Sequence, residues 1–513
     1  MSRLTKEDIA QMDRDYFLSL EKERLVEVAC NLREVVVEQM ERLEMNSTNS
    51  SKPPSSDNPY KKKDAAEKPE ENTTKPVIDA DDKDPAPQTE SPDRPQANSE
   101  EKKRAPGKQP GAKGFWRETP LIPEDTIPHY PEYCSACNSP LSKSDQSPYM
   151  GYHVLELKKT PSGIHICCTL HHYYPGMCSC GHETKACPGE GKVFIVEGRK
   201  NNLKLTEYVL AGPMLTTFIA ALSNRYRMSR VKIRECLHDW FQTELSVGTI
   251  DRCIREAGVA CYPVVEELVE KLQDEEKVGL DETPWYEKGG LKWLWVAISA
   301  TIAVFHIGTR KKEELLNLIL VSFGGWLICD GYVAYRDRER RQRCLAHLIR
   351  KAIALTGAID EKAVKMGEWL LRELRGLIHV MAEGGEDAKR KCSPILARLK
   401  RACILGENEE FSKLRSLSRE ILNDWDAVVA FVKNPGLPPT NNEAERALRH
   451  AVISRRISFG TRTSEGSQAY ASLLSVIETC RLRNQDPWSF IAETIRLGRK
   501  GIAPPPIPPV AFA

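Results

Sequence analysis

The apolar positions of the chain fall into distinct rhythms, separated by one long stretch that has none. Between residues 15 and 44, Leu18, Leu25 and Leu32 recur seven apart, with Val28, Val35 and Leu43 between them and Glu and Arg around them. That period predicts a single helix with a coiled-coil seam, and hence self-association. Residues 46–113 then carry almost no large apolar side chains and are rich in Ser, Pro, Asn, Lys, Asp and Glu. Such a segment cannot bury enough surface to offset its ordering entropy, so it reads as a disordered linker. It closes on a small basic run, Lys102-Lys-Arg104 and the glycine-rich 107–114, suited equally to touching phosphates or to acting as a solvated tether.

Helical periodicity returns at 205–260. Met228–Phe241 reads as an amphipathic helix N-capped by Ser229, a turn follows at Gln242–Leu245, and Ser246 caps a second helix, Val247–Arg255. Two helices joined by a tight turn suit a helix-turn-helix, with Arg230, Arg252 and Arg255 toward DNA. Residues 275–350 alternate short strands and a helix. Strands are expected from 277 to the acid at 281 (then a turn forced by Pro284), at 291–298 and 302–307, and from 326 to the acid at 330, with a helix at 311–321. Residues 351–432 look helical throughout, and 440–500 again after the Pro-Gly-Leu-Pro-Pro breaker at 435–439; 504–509 reads as an extended Pro-rich tail.

Charge alone does not announce a partner: 74 Lys and Arg against 72 Asp and Glu leave a formal net charge of only +2. The start is polar, and the most apolar stretch, 293–307, is shorter than the roughly 20 residues of a membrane helix. A cytoplasmic, nucleoid-associated protein with no membrane partner is expected. Its sixteen cysteines should then be reduced. Cys236, Cys253, Cys261, Cys403 and Cys480 read as small core residues. Cys134-x-x-Cys137 and Cys178-x-Cys180 instead form two close pairs, the pattern of one structural Zn²⁺ site, with His171, His172, His182 and Cys187 as neighbouring candidates. His182 or Cys187 in place of one cysteine stays open.

The chemistry-bearing signal is acidic. Asp281 and Asp330 each stand at or near the end of an apolar strand. A strand-strand-strand-helix-strand order is that of a ribonuclease-H-like sheet, in which the first and fourth strands are neighbours and their acids meet. Phosphoryl transfer needs charge stabilisation on the attacking and leaving oxygens, which two Mg²⁺ (or Mn²⁺) ions held by carboxylates supply. A third acid is expected from the helix that opens near Thr440. Thr440-x-x-Glu443 matches a capping box, which occupies Glu443 and leaves Glu445 for the metal.

Together, Leu280-Asp281-Glu-Thr-Pro284, Cys329-Asp330-Gly-Tyr-Val-Ala-Tyr335, Arg343-Cys-Leu-Ala-His347-Leu-Ile-Arg-Lys351, Asn441-Asn-Glu-Ala-Glu445-Arg-Ala-Leu-Arg449, Ser458–Gly466 and Leu474–Arg481 resemble the insertion-sequence-66 family of bacterial DDE transposases. The resemblance covers nearly the whole chain. It implies Asp281, Asp330 and Glu445 as the catalytic, Mg²⁺-binding acids, a helical insertion between the second and third, and His347 and Arg446 near the site. It departs at Thr440, where the family carries an acid, at Ala112, where it carries a histidine, and in the looser second cysteine pair.

The expected protein is therefore multi-domain. It comprises a coiled-coil helix (1–45), a disordered linker (46–114), a zinc-binding module (115–200), a helix-turn-helix region (201–262), and a ribonuclease-H-like α/β core (275–350 and 440–485) with an all-α insertion (351–432). A C-terminal helix and Pro-rich tail follow (486–513). Its expected activity is Mg²⁺-dependent cleavage and strand transfer at the terminal inverted repeats of an insertion sequence. Arg446, Arg449, Arg455, Arg456 and Arg462 would hold phosphates. The partners are element ends and target DNA, a second copy or larger assembly, and any helper proteins. A structure-specific nuclease and a catalytically inactive DNA-binding regulator are the alternatives.

Overall fold

The computed structural model describes residues 21–26, 28 and 120–510, apart from 144, 162, 192–194, 197–198, 201–202, 312–321 and 386. The expected linker and the expected helix at 311–321 thus lie outside the described residues. So does most of the expected coiled coil, of which Lys22–Val26 and Val28 are helical.

The first described strands are β1 (Asp125–His129), β2 (Met150–Thr160) and β3 (Gly163–Tyr173), a sheet of order β1-β3-β2 with β1 parallel and β2 antiparallel to β3. Aromatic and imidazole rings stack across it: His129 on Tyr173 at 4.4 Å and Tyr152 on His171 at 5.4 Å. Two short hairpins follow, β4 (Pro175–Met177) with β5 (Glu183–Lys185) and β6 (Ile195–Val196) with β7 (Arg199–Lys200).

A five-stranded mixed sheet holds the centre. Its strands are β8 (Lys277–Glu287), β9 (Gly290–Ile298), β10 (Ala303–Gly308), β11 (Trp326–Cys329) and β12 (Arg341–Arg343), in the order β10-β9-β8-β11-β12. The first three are antiparallel; β11 runs parallel to β8, and β12 parallel to β11. Pro284 does not end β8 as the sequence predicts. It pairs with Trp293, and its missing N–H is harmless because on its other flank β11 pairs β8 only as far as Gly279 and Thr461 bridges it only at Glu287. β12 was not expected. Arg-Gln-Arg carries no apolar alternation, and it is buried because Asp424 and Glu420 take its two guanidinium groups.

The helices, in order, are α1 (Pro213–Asn224), α2 (Arg230–Phe241), α3 (Val247–Leu272), α4 (Leu345–Thr356), α5 (Glu361–Glu383), α6 (Ala388–Gly406) and α7 (Ser412–Asn423). The short α8 (Trp425–Val428) and α9 (Ala430–Lys433) precede α10 (Asn442–Ser458), α11 (Ser464–Leu482) and α12 (Pro487–Arg499). Ser229 and Ser246 cap α2 and α3 through bonds from the backbone N–H groups of Lys232 (3.3 Å) and Thr249 (3.0 Å). α3, however, does not stop at Arg255. Its apolar stripe (Ala257, Cys261, Val264, Leu268, Leu272) continues and packs with Val278, Leu280, Ala297, Val476 and Ile477. Within α4–α9, Leu348, Leu370, Leu374, Leu399, Leu414 and Ile421 close a separate core. Each fully buried aliphatic side chain contributes on the order of 1.5–3 kcal/mol. The Pro-rich end is docked rather than free: Ile507 is buried, and Arg483 donates to its carbonyl at 2.7 Å.

Strand alternation decides what the two faces of the central sheet carry. Val278 and Leu280 face the core shared with α3 and α11. Trp285, Val296 and Ile298 face α10 through Ala444, Leu448 and Ala451. Odd-numbered positions of β8, Asp281 among them, therefore lie on the side of α10.

Candidate carboxylate site and cysteine cluster

The register of β8 and β11 sets Trp326, Leu327 and Ile328 opposite Lys277, Val278 and Gly279. Asp281 and Asp330 each lie two residues past the last of these pairs, near enough for the charge of Asp330 to act on Asp281. Asp281 Oδ1 accepts the N–H of Glu282 at 2.9 Å, and Asp330 Oδ1 accepts that of Tyr332 at 2.8 Å. A Cβ at Gly331 would stand 2.1 Å from Nη2 of Arg343, so that guanidinium would have to shift.

α10 brings the third acid. The capping box expected at Thr440 does not form: the helix starts at Asn442, its N-cap is Asn441, and Glu443 is exposed. Asn441 spends its side chain elsewhere, donating from Nδ2 to the Leu280 carbonyl at 2.7 Å, which pins the start of α10 beside Asp281. Glu445, one turn in, meets Nε2 of His347 at 3.0 Å and Nη2 of Arg350 at 3.5 Å, both from α4.

The electrostatics differ among the acids. Burial, then the charges of Glu282, Asp330 and Glu445, hold the Asp281 carboxyl well above the ordinary carboxylate range. Burial and Asp330 also raise Glu282, although Arg310 and Tyr335 partly offset them. Burial would raise Glu445 too, but His347 and Arg350 outweigh it and its pKa falls below the ordinary value. Asp281 is thus left without a compensating cation, an environment that fits a hard divalent ion. The three acids are not drawn together: among the described residues, the donor groups of three or more within 4.8 Å of one another are Cys134, Cys137, Cys178 and Cys180, and Cys344, His347 and Glu445. Sharing ions with the two aspartates requires Glu445 to turn from His347.

The other candidates divide. Arg230 and Arg255 both bond Asp251, at 3.2 and 3.0 Å, while Arg252 is exposed. Arg455 donates to Thr283 Oγ1 at 2.9 Å and to the Pro284 carbonyl, holding the edge of β8. Arg446, Arg449, Arg456 and Arg462 are exposed. Sequence reasoning missed Asn441 as an anchor, Glu282 and Arg343; the asparagine pair before Glu445 was the available signal.

In the cysteine cluster, Sγ of Cys134 stands 3.7 Å from Cys180, and Sγ of Cys137 3.4 Å from Cys178. Tetrahedral sulfurs at a Zn–S distance of about 2.3 Å stand roughly 3.8 Å apart, so the group fits that ion. Asn138 and Gly181 take the left-handed backbone the two knuckles need. His182 is engaged with Ser135 at 2.9 Å, and Cys187 points to the Lys185 carbonyl, so the cluster closes on four cysteines. Every described cysteine is free, and Cys253, Cys261, Cys403 and Cys480 are buried as small core residues, with Cys236 half-buried.

An α/β core with a carboxylate site, joined in one chain to a four-cysteine cluster, defines the class of molecule that the comparisons then narrow. A model of the Transposase IS66 family matches residues 208–469, just over half of the chain and a span that contains all three acids, and the chain belongs to that family. Residues 18–86 match a family of unknown function. Three relatives from Sinorhizobium fredii (strain NBRC 101917 / NGR234) are similar. Uncharacterized protein y4qI is 24% identical over 53% of this chain and 55% of its own length. Uncharacterized protein y4jD is 27% identical over 42% and 44%. Uncharacterized protein y4hP is 36% identical over 39% and 32%. The chain spans about half the length of the first of these curated relatives, and less of the other two. No helix among the described residues is long and apolar enough to cross a membrane.

Proposed function

We propose that the protein is a DDE transposase that cleaves the ends of its insertion sequence and joins them to target DNA. The observation that carries this reading is that the charges of Asp330 and Glu445 both act on buried Asp281, on the face of the sheet that the helix of Glu445 covers. In this reading the five-stranded sheet is a ribonuclease-H-like core, and α2–α3 is the helix-turn-helix. Asp281, Asp330 and Glu445 hold two Mg²⁺ ions, which when bound supply charge neutralisation on the attacking and leaving oxygens. His347 and Arg350 keep Glu445 ionised, and it turns from His347 to share the ions. Asn441 fixes the helix that carries it. Exposed Arg252, Arg446, Arg449, Arg456 and Arg462 hold phosphates, and catalysis comes from positioning, with no covalent enzyme–DNA link. The four cysteines hold one structural Zn²⁺. Two ends must be joined, so the working form is a dimer or larger, acting on DNA in the bacterial cytoplasm.

The test is incubation with a pre-cleaved element end, a plasmid target and Mg²⁺, scored for joined product. Joining by the wild type, lost in Asp330→Ala with end binding intact, supports the reading. Cleavage without joining would make the protein a nuclease, and end binding indifferent to Mg²⁺ with no product would make it a regulator.

A further inference from the structure

Cys344, His347 and Glu445 form a second group of metal donors, and nothing in Mg²⁺ chemistry accounts for its sulfur. Cys344 is the N-cap of α4 and His347 lies three residues on, so both project from its first turn toward Glu445 of α10. The sulfur, the imidazole nitrogen and a carboxylate oxygen all lie within 4.8 Å of one another. His347 Nε2 and Glu445 Oε1 are already 3.0 Å apart, close to the roughly 3.3 Å edge of a tetrahedron with bonds of about 2.0 Å. The thiol is fully buried, and its sulfur accepts the N–H of Asn441 at 3.2 Å. That donor fixes the sulfur at the start of α4. His347 and Glu445 are partly exposed, which leaves a way in from solvent.

Mg²⁺ takes oxygen ligands and has no use for a thiolate, whereas Zn²⁺ takes sulfur, nitrogen and carboxylate together. We infer that Cys344, His347 and Glu445 form an inhibitory Zn²⁺ site that holds the third acid away from the two aspartates. Binding releases the thiol proton to solvent and leaves a fourth position for water. The inhibitory consequence rests on the proposed catalytic role of Glu445; the binding site does not. Divalent zinc would then switch the protein off without any change in fold, by choosing between two partners of one carboxylate.

The experiment is zinc stoichiometry on the full chain, dialysed against buffered Zn²⁺ without DNA or Mg²⁺. The wild type is expected to hold two ions, one at each of the two donor groups. Cys344→Ser and, independently, His347→Gln are expected to hold one, with thermal melting showing that each variant is folded. One ion in the wild type, or two in both folded variants, overturns the site. In the strand-joining assay, Zn²⁺ should inhibit the wild type at a concentration more than about tenfold below that needed for Cys344→Ser. Equal sensitivity would overturn the inhibitory role. Because stoichiometry is read without catalysis, the site can fail while the transposase reading stands, and the reverse.

Discussion

The two metal-suited regions of this molecule are built on opposite plans. The four cysteines stand with their sulfurs 3.4 and 3.7 Å apart in cross-pairs, at the spacing of a closed tetrahedral site. The three acids are near enough to act on one another's charge but are not drawn together, and one of them is engaged by His347 and Arg350. Closure suits an ion that holds a fold together; an open, mutually repelling set suits ions that come with a substrate and must leave room for its oxygens. The cysteine cluster is assembled by two local turns, one after β1 and one between β4 and β5, whereas the acids come from β8, the end of β11 and α10, so their alignment depends on the whole core.

The sharpest way to break this contrast is Asp281→Ala. Strand transfer should fall by on the order of 10³-fold or more, measured as joined product, with end binding unchanged. Next in size, Cys134→Ser or a strong chelator should unfold the region around β4 and β5, because structural zinc contributes on the order of 10 kcal/mol to such small modules. Hydrogen exchange would show protection lost there and kept in β8–β11.

A smaller, opposite effect separates the acids from the cysteines. Burial and neighbouring carboxylates hold the Asp281 carboxyl high, so ionising it costs the fold. Its contribution is fully present below the unfolded pKa of about 3.9 and is lost as pH rises through the folded value. Metal-free Asp281→Asn should therefore melt a few degrees above the wild type near neutral pH, and added Mn²⁺ should stabilise only the wild type. Equal melting would mean that the acids do not repel.

The smallest expected effect lies on the helix that carries Glu445. Burial holds His450 down to about 4, although its bond to the Asn224 carbonyl pulls the other way. The linked stability is present above the unfolded pKa of about 6.5 and is lost as pH falls through about 4. His450→Gln should flatten the fall in melting temperature across that window.

Much of this arrangement was legible in the chain. The strands at β8–β11 announce themselves by apolar runs, and Ser229 and Ser246 cap the helices they were expected to cap. Asp281 lies on the face of β8 that the helix of Glu445 covers, where the charges of Asp330 and Glu445 act on it. What the chain concealed was tertiary in origin. β12 is a strand of buried arginines whose partners, Asp424 and Glu420, lie far along the sequence. α3 outruns its expected end because its apolar stripe finds the sheet. Thr440 looked like a cap, but Asn441 takes the N-cap position and spends its side chain on Leu280, a contact no local pattern reveals.

In the proposed site, three distant carboxylates share one set of divalent ions. Mn²⁺ binding, followed by electron paramagnetic resonance with a pre-cleaved DNA end present, tests it in the wild type and in Asp281→Asn, Asp330→Asn and Glu445→Gln. The account predicts that the wild type holds a pair of coupled ions and that each single variant loses the coupled signal. The same signal in all four proteins would contradict it.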